Sequence, residues 1–284
     1  MKTLLITNPC ANGGRSLRVL RKVERFLSSH SIIWDTLQTP ETRNIAPPNW
    51  LNYSRVILIG GDGTLHRLLN YWGIPPLPVC LISGGSGNDF SRLVHQSARI
   101  EIQLNHLLEG KTFFSDLGLC NGVLFATGLG IGFDGKIAEV LKNNSRWKSH
   151  LTYLIAVIIQ IFKYREKPIR VEHDGTLTKG PSLLFTVGNG SEFGGGFKIT
   201  PQASFRDGVF QCCWIEQVAL LQRILHLSKM EKGTHTQLPF VRLFNAKSIH
   251  LQADERLVCH MDGEVYHWED FAISMQAGVL ELIA

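Results

Sequence analysis

The sequence lacks the features that mark secreted and membrane-spanning proteins. Its six cysteines include no Cys-x-x-Cys spacing, which argues against a structural zinc site and favours a reducing compartment with small, buried cysteines. The apolar run at 151–162 is 12 residues long, whereas a membrane-spanning helix needs about 20. The apolar stretch at the N-terminus is too short for a signal peptide and is typical of a first strand. We therefore expect a cytoplasmic protein without a transmembrane segment.

The sequence also has no strong excess of positive or negative charge. The net charge is +5, from 29 Lys and Arg against 24 Asp and Glu, which suits a nucleotide or an anionic membrane face without proving either. Basic residues flank the run at 151–162, namely Arg146, Lys148, Lys163, Arg165 and Lys167. This run either lies on an anionic membrane surface or is buried between domains. We expect peripheral membrane association and no nucleic-acid partner.

The pattern of predicted secondary structure changes near residue 113. Before it, strand patterns alternate with helix patterns, which predicts a parallel α/β layer with ligand loops at the strand C-termini. The predicted strands are 3–7, 32–38, 55–59 and 79–83, and the predicted helices are 15–29, 102–109 and one after Thr64. Beyond it, glycine-rich short strands predict a β-rich domain. These strands are 122–127, 168–173, 183–188, 209–215, 248–251 and 271–275, with helices near 134–165 and 218–230. The predicted domains are 1–115 and 116–284, with no internal repeat.

The most informative segment is residues 60–64, Gly-Gly-Asp-Gly-Thr, which follow the apolar run 56–59 and precede a helix-like pattern. Three glycines let the backbone approach a bulky ligand closely, and a helix N-terminus adds partial positive charge, so a phosphate chain is the expected ligand. Asp62 would repel phosphate unless Mg²⁺ or a hydrogen-bond network intervenes. The alternative is an ordinary tight turn without a ligand.

This five-residue string resembles the signature of the diacylglycerol kinase catalytic-domain family, which includes sphingosine kinases and bacterial lipid kinases. Other family motifs occur in the family's order, at 8–14, 84–90, 116–118, 201–209 and 261–264. Agreement of several ordered motifs is far stronger than any one of them. The resemblance implies an α/β N-terminal domain with a parallel sheet, a β-sandwich-like C-terminal domain and an active site in the interdomain cleft.

The resemblance also implies ligand contacts. The residues matching ATP-contacting positions are Asn8, Thr39, Gly60, Gly61, Asp62, Gly63, Thr64, Leu65, His66 and Ser86. Those matching acids that hold the catalytic Mg²⁺ through water are Asp62, Asp89 and Asp116. Those matching a structural Mg²⁺ or Ca²⁺ site are Ser204, Asp207 and Val209. Alternatively, Asp207 caps its own turn, and His66 is merely a first-turn helix residue.

Phosphorylation of an alcohol needs a base within hydrogen-bond reach of the hydroxyl. The resemblance assigns this base to Glu264, with Asp262 orienting or assisting it. The intervening Gly263 allows a turn that aims both carboxylates towards one place. The alternative for Glu264 is a solvated acid at a strand end.

A literal Gly-x-Gly-x-x-Gly also occurs at Gly130, Gly132 and Gly135. A dinucleotide site needs an acidic residue about 20 positions downstream at the next strand end, whereas here an apolar helix follows. We therefore interpret these glycines as a strand-to-helix turn.

Three functions remain open from the sequence. The first is an ATP-dependent lipid kinase that acts on diacylglycerol or a related lipid. The second is NAD kinase, which shares the glycine loop, although its Thr-Pro-Thr-Gly-Ser-Thr-like motif is absent here. The third is a regulator with a decayed site, which the intact acids disfavour. Neither the lipid acceptor nor the oligomeric state can be read from the sequence.

Overall fold

A computed structural model describes residues 2–9, 11–40, 42, 44–143, 150–192, 194 and 196–284. Arg146 and Lys148, two of the predicted membrane-facing cations, lie outside the described residues, as does Cys10. The chain divides into two compact units, one of residues 1–117 with 277–284 and the other of residues 118–276. The segment 277–284 therefore belongs with the first unit, whereas the sequence-based division had it in the second domain.

The first unit alternates strands and helices. Its elements are β1 (Lys2–Thr7), α1 (Arg15–Ser29), β2 (Trp34–Gln38), β3 (Tyr53–Gly60), α2 (Asp62–Arg67), β4 (Val79–Ser83), α3 (Asp89–His95), α4 (Ile100–Glu109) and β5 (Thr112–Cys120), which runs into the second unit. The strands pair in the order β2-β1-β3-β4, all parallel. The predicted parallel α/β layer is confirmed.

Hydrophobic periodicity explains why α1 packs on this sheet. Its buried residues Val19, Val23 and Leu27 recur every fourth position and so form one stripe. Gly14 precedes the helix with a φ of 87°, in the left-handed region where glycine is favoured. The stripe belongs to a core that also contains Leu5 of β1. The helix therefore covers one face of the sheet and leaves the carboxyl ends of the strands for loops.

The second unit is rich in antiparallel strands. Its elements are β6 (Val123–Phe125), β7 (Gly128–Gly132), α5 (Phe133–Asn143), α6 (His150–Lys163), β8 (Lys167–His173), β9 (Thr176–Ser182), β10 (Leu184–Gly188), β11 (Phe210–Ile215), α7 (Leu220–Lys232), β12 (Val241–Ala246), β13 (Ser248–Met261) and β14 (Glu264–Ile283), whose end lies in the first unit. Hydrogen bonds join neighbouring strands in the order β12-β11-β10-β7-β13-β14. In addition, β8 pairs with β13 on one side and with β9 on the other.

Three strands of this unit, β7, β9 and β12, are not among the predicted strands, although the interpretation of Gly130 to Gly135 as a strand-to-helix turn implied a strand near β7. Two other strands are longer than expected. β9 contains glycine and proline and alternates poorly, while β12 is only half-buried, so neither shows a strong strand pattern. β13 and β14 form one long hairpin joined at Asp262 and Gly263, where short separate strands were predicted. Long strands with mixed burial lack the clean alternation that marks a strand in sequence.

The described cysteines are buried and form no disulfide bond. They are Cys80, Cys120, Cys212, Cys213 and Cys259. Burial raises the pKa of the Cys213 thiol to about 12, which leaves it protonated and unreactive at neutral pH. The prediction of small buried cysteines is thus confirmed for these five. No helix among the described residues is long and apolar enough to span a membrane.

Candidate active site

Two glycine loops of the first unit pack directly against each other. Residues 60–64 follow β3 and residues 84–88 follow β4, and the two strands are parallel neighbours, so their carboxyl ends bring the loops together. A Cβ added to Gly85 would lie 2.4 Å from Gly61 Cα, which no real side chain allows. The Gly84 amide donates to the Gly60 carbonyl at 2.8 Å. The glycines are therefore required by the contact between the loops as well as by turn geometry.

Asp62 joins the two loops. Its Oδ2 accepts a hydrogen bond from the Asp89 amide at 3.1 Å, and its Oδ1 accepts one from the Phe90 amide at 3.0 Å. These amides belong to the first turn of α3, so Asp62 caps that helix from a neighbouring loop and complements its positive end. The sequence analysis expected either Mg²⁺ or a hydrogen-bond network to accommodate a carboxylate beside phosphate. The structure shows the hydrogen-bond network.

The backbone amides of the glycine loop at 60–64 and of the residue after it divide into two groups. Those of Thr64 and Leu65 donate to the Gly61 carbonyl, at 2.9 and 3.2 Å, and so form the first turn of α2. The amides of residues 61–63 precede this ladder, because the first N–H groups of a helix have no intrahelical acceptor. The amides of Thr64 and Leu65 are therefore used within α2, and contact of this loop with phosphate stays a prediction.

The other predicted nucleotide residues also follow strands of this sheet. Asn8 follows β1, and its carbonyl accepts from the Ser16 hydroxyl at 2.6 Å. Thr39 follows β2, and its amide donates to the Thr7 carbonyl at 2.9 Å. The carboxyl ends of β1, β2, β3 and β4 meet at one edge of the parallel sheet. His66 is buried in α2, and Ser86 is exposed in the second glycine loop.

The two remaining acids of the first unit have separate partners. Asp89 is buried at the start of α3, and its Oδ1 pairs with the Arg92 guanidinium at 2.8 Å. Asp116 is buried in β5, and its Oδ1 accepts from the Gly278 amide at 2.7 Å. The structure therefore joins Asp62 and Asp89 through adjacent loops and ties Asp116 to the last strand.

In the second unit, Asp262 anchors a tight turn between β13 and β14. Its Oδ2 accepts from the Ala126 amide and its Oδ1 from the Thr127 amide, both at 2.8 Å. Asp262 has a φ of 50° and Gly263 a φ of 85°, which is the left-handed pair that two-residue hairpins require. The carboxylate thus holds a turn conformation that a non-glycine residue rarely adopts.

Glu264 is the first residue of β14 and is half-buried. Its Oε2 pairs with Lys142 Nζ on α5 at 2.9 Å. The two carboxylates therefore differ in these contacts: Asp262 accepts from backbone amides, and Glu264 pairs with a cation.

The Gly-x-Gly-x-x-Gly segment is a strand-to-helix turn, as interpreted, since β7 ends at Gly132 and α5 begins at Phe133. A Cβ on Gly130 would lie 2.2 Å from Asp134 Oδ2, and one on Gly135 would lie 2.4 Å from the Val258 carbonyl. These glycines make room for a buried side chain and for close packing of α5 on β13. They serve the architecture of the second unit.

Replacing Gly130 by Ala is expected to destabilise the protein by about 1–3 kcal/mol, since the new methyl group must displace a buried carboxylate. Chemical denaturation measures the change. Gly180→Ala is the matched control, because a Cβ there would meet Trp214 at an ordinary 3.6 Å. Equal unfolding free energies for the two variants would contradict this account.

The predicted structural metal segment lies just before β11. The Val209 amide donates to Asp207 Oδ1 at 3.2 Å, so Asp207 caps its own turn, and Ser204 is half-buried nearby in sequence. Such a turn leaves carboxylate lone pairs and backbone carbonyls for a cation. Within the described ranges, no group of three or more His, Cys, Asp or Glu side chains is arranged to hold a metal.

Three residues at the candidate site were missed from the sequence. Lys142 pairs with Glu264, and His260 Nε2 lies 3.1 Å from Asp134 Oδ2 in a buried ion pair. Lys142 is one of many lysines, and nothing in its neighbourhood marks it. The glycine at 130 was a signal for the ion pair, but only the fold shows what fills the space beside it.

Comparisons with known proteins agree on one family. Residues 2–120 match the model of the diacylglycerol kinase catalytic domain, and residues 128–284 match that of the YegS C-terminal NAD kinase beta sandwich-like domain. A diacylglycerol kinase of Staphylococcus carnosus is 28% identical over 221 residues, 75% of this chain and 71% of that protein. One of Staphylococcus epidermidis is 29% identical over 220 residues, 75% of this chain and 68% of that protein. A Bacillus anthracis crystal structure, 23% identical, shares the fold with a TM-score of 0.80, covering 99% of this chain and 96% of that one.

Proposed function

This chain belongs to the diacylglycerol kinase family, a family of lipid kinases, and we propose that it transfers the γ-phosphoryl group of ATP to a hydroxyl of diacylglycerol or a related lipid. The observation that carries the proposal is the pair of glycine loops joined by Asp62 at the carboxyl edge of a parallel sheet. Ligands of open α/β sheets bind at that edge. The matched models include an α/β and a β-sandwich domain, as the sequence predicted.

The nucleotide is assigned to this edge of the first unit. The amides of residues 61–63 offer donors to phosphate oxygens where no side chain intervenes. The Thr7 hydroxyl, at the end of β1, is buried and has no hydrogen-bond partner among the described residues. A buried hydroxyl without a partner is costly, so a polar ligand group at this edge would stabilise it.

Mg²⁺ fits the acids of the first unit. Carboxylates are hard oxygen ligands of the kind that Mg²⁺ prefers, and Asp62 and Asp89 are brought together by adjacent loops. Such acids can hold the ion through water, which suits an ion that keeps its hydration shell. When bound, the ion would neutralise charge that develops on the phosphates.

We assign to Glu264 the role of the base that accepts the proton of the acceptor hydroxyl. Its carboxylate takes this proton while the hydroxyl oxygen forms a bond to the γ-phosphorus and the bond to ADP breaks. Asp262 keeps the turn in place through its bonds to the amides of Ala126 and Thr127. Asp262 is therefore a positioning residue in this proposal.

A small apolar cavity lies within the second unit. It has a volume of about 40 Å³ and lies among α6, α7 and the strands β10 to β12. The residues that line it include Phe133, Ile161, Leu184, Ile215, Leu227, Met230 and Phe240. Arg223 also borders the cavity, but it binds Glu166 at 2.5 Å and three carbonyls, so it fastens α7 to the end of α6. The lining is apolar, but a volume of this size is too small for an acyl chain, so the lipid acceptor is proposed from the family and not from this cavity.

The second unit also exposes an apolar patch on the packed helices α6 and α7. We define the apolar patch as Ile155, Ile158, Phe162, Leu221, Ile224 and Leu225. On α6 successive members are three and four residues apart, and on α7 Ile224 and Leu225 lie three and four residues after Leu221, so each helix carries one stripe. Lys163 and Arg165 follow at the end of α6 and are exposed. The buried residues of α6, among them Val157 and Ile161, pack in the core of the second unit, so the helix is buried on one face and exposed on the other. We assign the exposed patch to an anionic membrane surface.

Ile158→Glu with Leu221→Glu is expected to weaken binding to anionic vesicles by at least about tenfold, because each change places a charge where apolar area must be buried. Vesicle sedimentation measures the binding. Leu51→Glu is the control, since Leu51 is an exposed, isolated apolar residue of the first unit. Equal binding by both variants would exclude the apolar patch as the membrane surface.

The proposed activity is tested with purified protein, labelled ATP and Mg²⁺, with diacylglycerol vesicles or NAD as the acceptor. Label in the lipid supports the proposal. Label in NADP would instead support NAD kinase, and no transfer to either acceptor would support a non-catalytic regulator. Mass spectrometry of lipids that gain a phosphate when the protein is overproduced identifies the acceptor.

A further inference from the structure

A buried histidine–aspartate pair lies beneath the turn that carries Glu264. His260, near the end of β13, approaches Asp134 of α5 at 3.1 Å, and both side chains are less than one-tenth exposed. Asp134 Oδ2 makes no hydrogen bond of regular geometry among the described residues, so the imidazole at 3.1 Å is its close polar neighbour. Loss of the imidazole would therefore leave a buried carboxylate oxygen without compensation, which is strongly unfavourable.

The surrounding backbone is shaped to fit this pair. A Cβ on Gly130 of β7 would lie 2.2 Å from Asp134 Oδ2 and 2.7 Å from His260 Nε2. Gly135 lets α5 approach β13 closely enough for the two side chains to meet. Two glycines of the Gly-x-Gly-x-x-Gly segment are thus explained by the space that the pair and its helix occupy.

The other ring nitrogen of His260 faces the turn. The Gly263 amide donates to His260 Nδ1 at 3.4 Å, so the imidazole bridges α5 and the turn residue that precedes Glu264. This bond requires Nδ1 without a proton, which places the proton of the neutral ring on Nε2, towards Asp134. Gly263 and Asp262 both have left-handed backbone conformations. A fixed contact at this point restricts the direction in which Glu264 leaves the turn.

Charge around His260 comes from two elements. Burial lowers the pKa of His260, but the negative charges of Asp134 on α5 and Asp262 in the turn outweigh it and raise the pKa above its ordinary value. β7 presents only the Gly130 backbone at this point, and β14 places Val265 opposite His260. Protonation of the ring therefore occurs at a higher pH than for an exposed histidine, and it removes the acceptor for the Gly263 amide.

We propose that Asp134 and His260 are a positioning pair for the proposed catalytic base: Asp134 fixes the imidazole, and the imidazole fixes the turn through Gly263, so that Glu264 is held in one orientation. This inference rests on the proposed function of Glu264. His260 touches no substrate in it and acts only through the turn. Misplacement of a catalytic group by about 1 Å costs on the order of 10²-fold in rate, which sets the size of the expected effect.

The test separates the two ring nitrogens. His260→Gln keeps a donor near the Nε2 position and loses the acceptor near Nδ1, whereas His260→Asn keeps an acceptor near Nδ1. We expect His260→Gln to lower kcat for lipid phosphorylation about 10²-fold with the KM for ATP changed less than twofold, and His260→Asn to retain more of kcat if it folds. Thermal melting checks folding. His250→Gln is the matched control, because His250 pairs with Asp270 at 2.9 Å on the exposed part of the same strand.

A double variant tests whether His260 acts through Glu264. In a Glu264→Gln background, His260→Gln is expected to cause no further loss of residual transfer, because residues that act as a unit are not additive. An independent loss in that background, or full kcat in His260→Gln alone, would overturn the positioning pair.

A measurement without substrate separates this inference from the proposed function. In a pH titration by NMR, the Gly263 amide resonance is expected to shift with the same midpoint as the His260 ring, above the ordinary value of about 6.5. Asp134→Asn is expected to lower that midpoint. The proposed function would be refuted if the wild-type protein phosphorylated no lipid. The positioning pair would be refuted if the Gly263 amide resonance did not shift as His260 titrates.

Discussion

Glu264→Gln is expected to lower kcat for lipid phosphorylation by about 10²–10⁴-fold, which is the usual contribution of a general base. The change keeps the length and the hydrogen-bonding capacity of the side chain and removes its basicity and charge. The ATP-binding residues proposed for the first unit are untouched, so the affinity for ATP is expected to stay nearly constant. Transfer is measured with labelled ATP, and nucleotide binding is measured by calorimetry.

The control for this variant lies on the same strand. Glu269→Gln also removes a glutamate from β14, but Glu269 is exposed and pairs only loosely with Arg256, at 3.7 Å. It is expected to retain wild-type turnover, since exposed pairs contribute little. Wild-type turnover in Glu264→Gln would disprove the assignment of the base, and loss in both variants would point to a general effect on the strand.

Asp62→Ala is expected to abolish transfer and also to destabilise the first unit. The variant removes the acceptor of the Asp89 and Phe90 amides, and each unsatisfied buried group costs about 1–3 kcal/mol. Asp62→Asn keeps one oxygen acceptor and loses the negative charge. We therefore expect a smaller loss of stability for Asn than for Ala, but a comparable loss of Mg²⁺-dependent transfer, on the order of 10²-fold or more.

Thermal melting and a Mg²⁺ titration of activity separate the two effects. Glu109→Gln serves as the control, because Glu109 is an exposed acid of the first unit that pairs with Lys111. If Asp62→Asn kept full activity at ordinary Mg²⁺ concentrations, Asp62 would be a helix cap alone. If Asp62→Ala were as stable as the wild type, the cap would have no energetic role.

Much of the architecture of the first unit could be read from the sequence. The predicted strand 79–83 and helix 15–29 match β4 and α1 in both bounds. These segments are either continuously apolar or strongly periodic, which are the two patterns that local sequence reports well. By contrast, β12 and β9 of the second unit show neither pattern, because their burial depends on neighbouring strands.

The candidate site was predicted in its residue types but not in its contacts. Asp62 was identified as a carboxylate within a phosphate loop, yet its partners lie 27 and 28 residues further on. Asp262 was expected to point with Glu264 to one place, yet it binds amides 135 and 136 residues away. A pairing over such separations leaves no periodic trace in a single sequence.

The amino-acid sequence by itself determined the family, the glycine loops and the acids, because short loops between apolar strands impose local conformations that only a few residue types permit. The tertiary structure alone decided which groups those acids bind, that Lys142 pairs with Glu264, and that His260 meets Asp134. The physical reason is that a hydrogen bond or ion pair depends on distance in space, and the chain path that closes this distance is set by the packing of the whole unit.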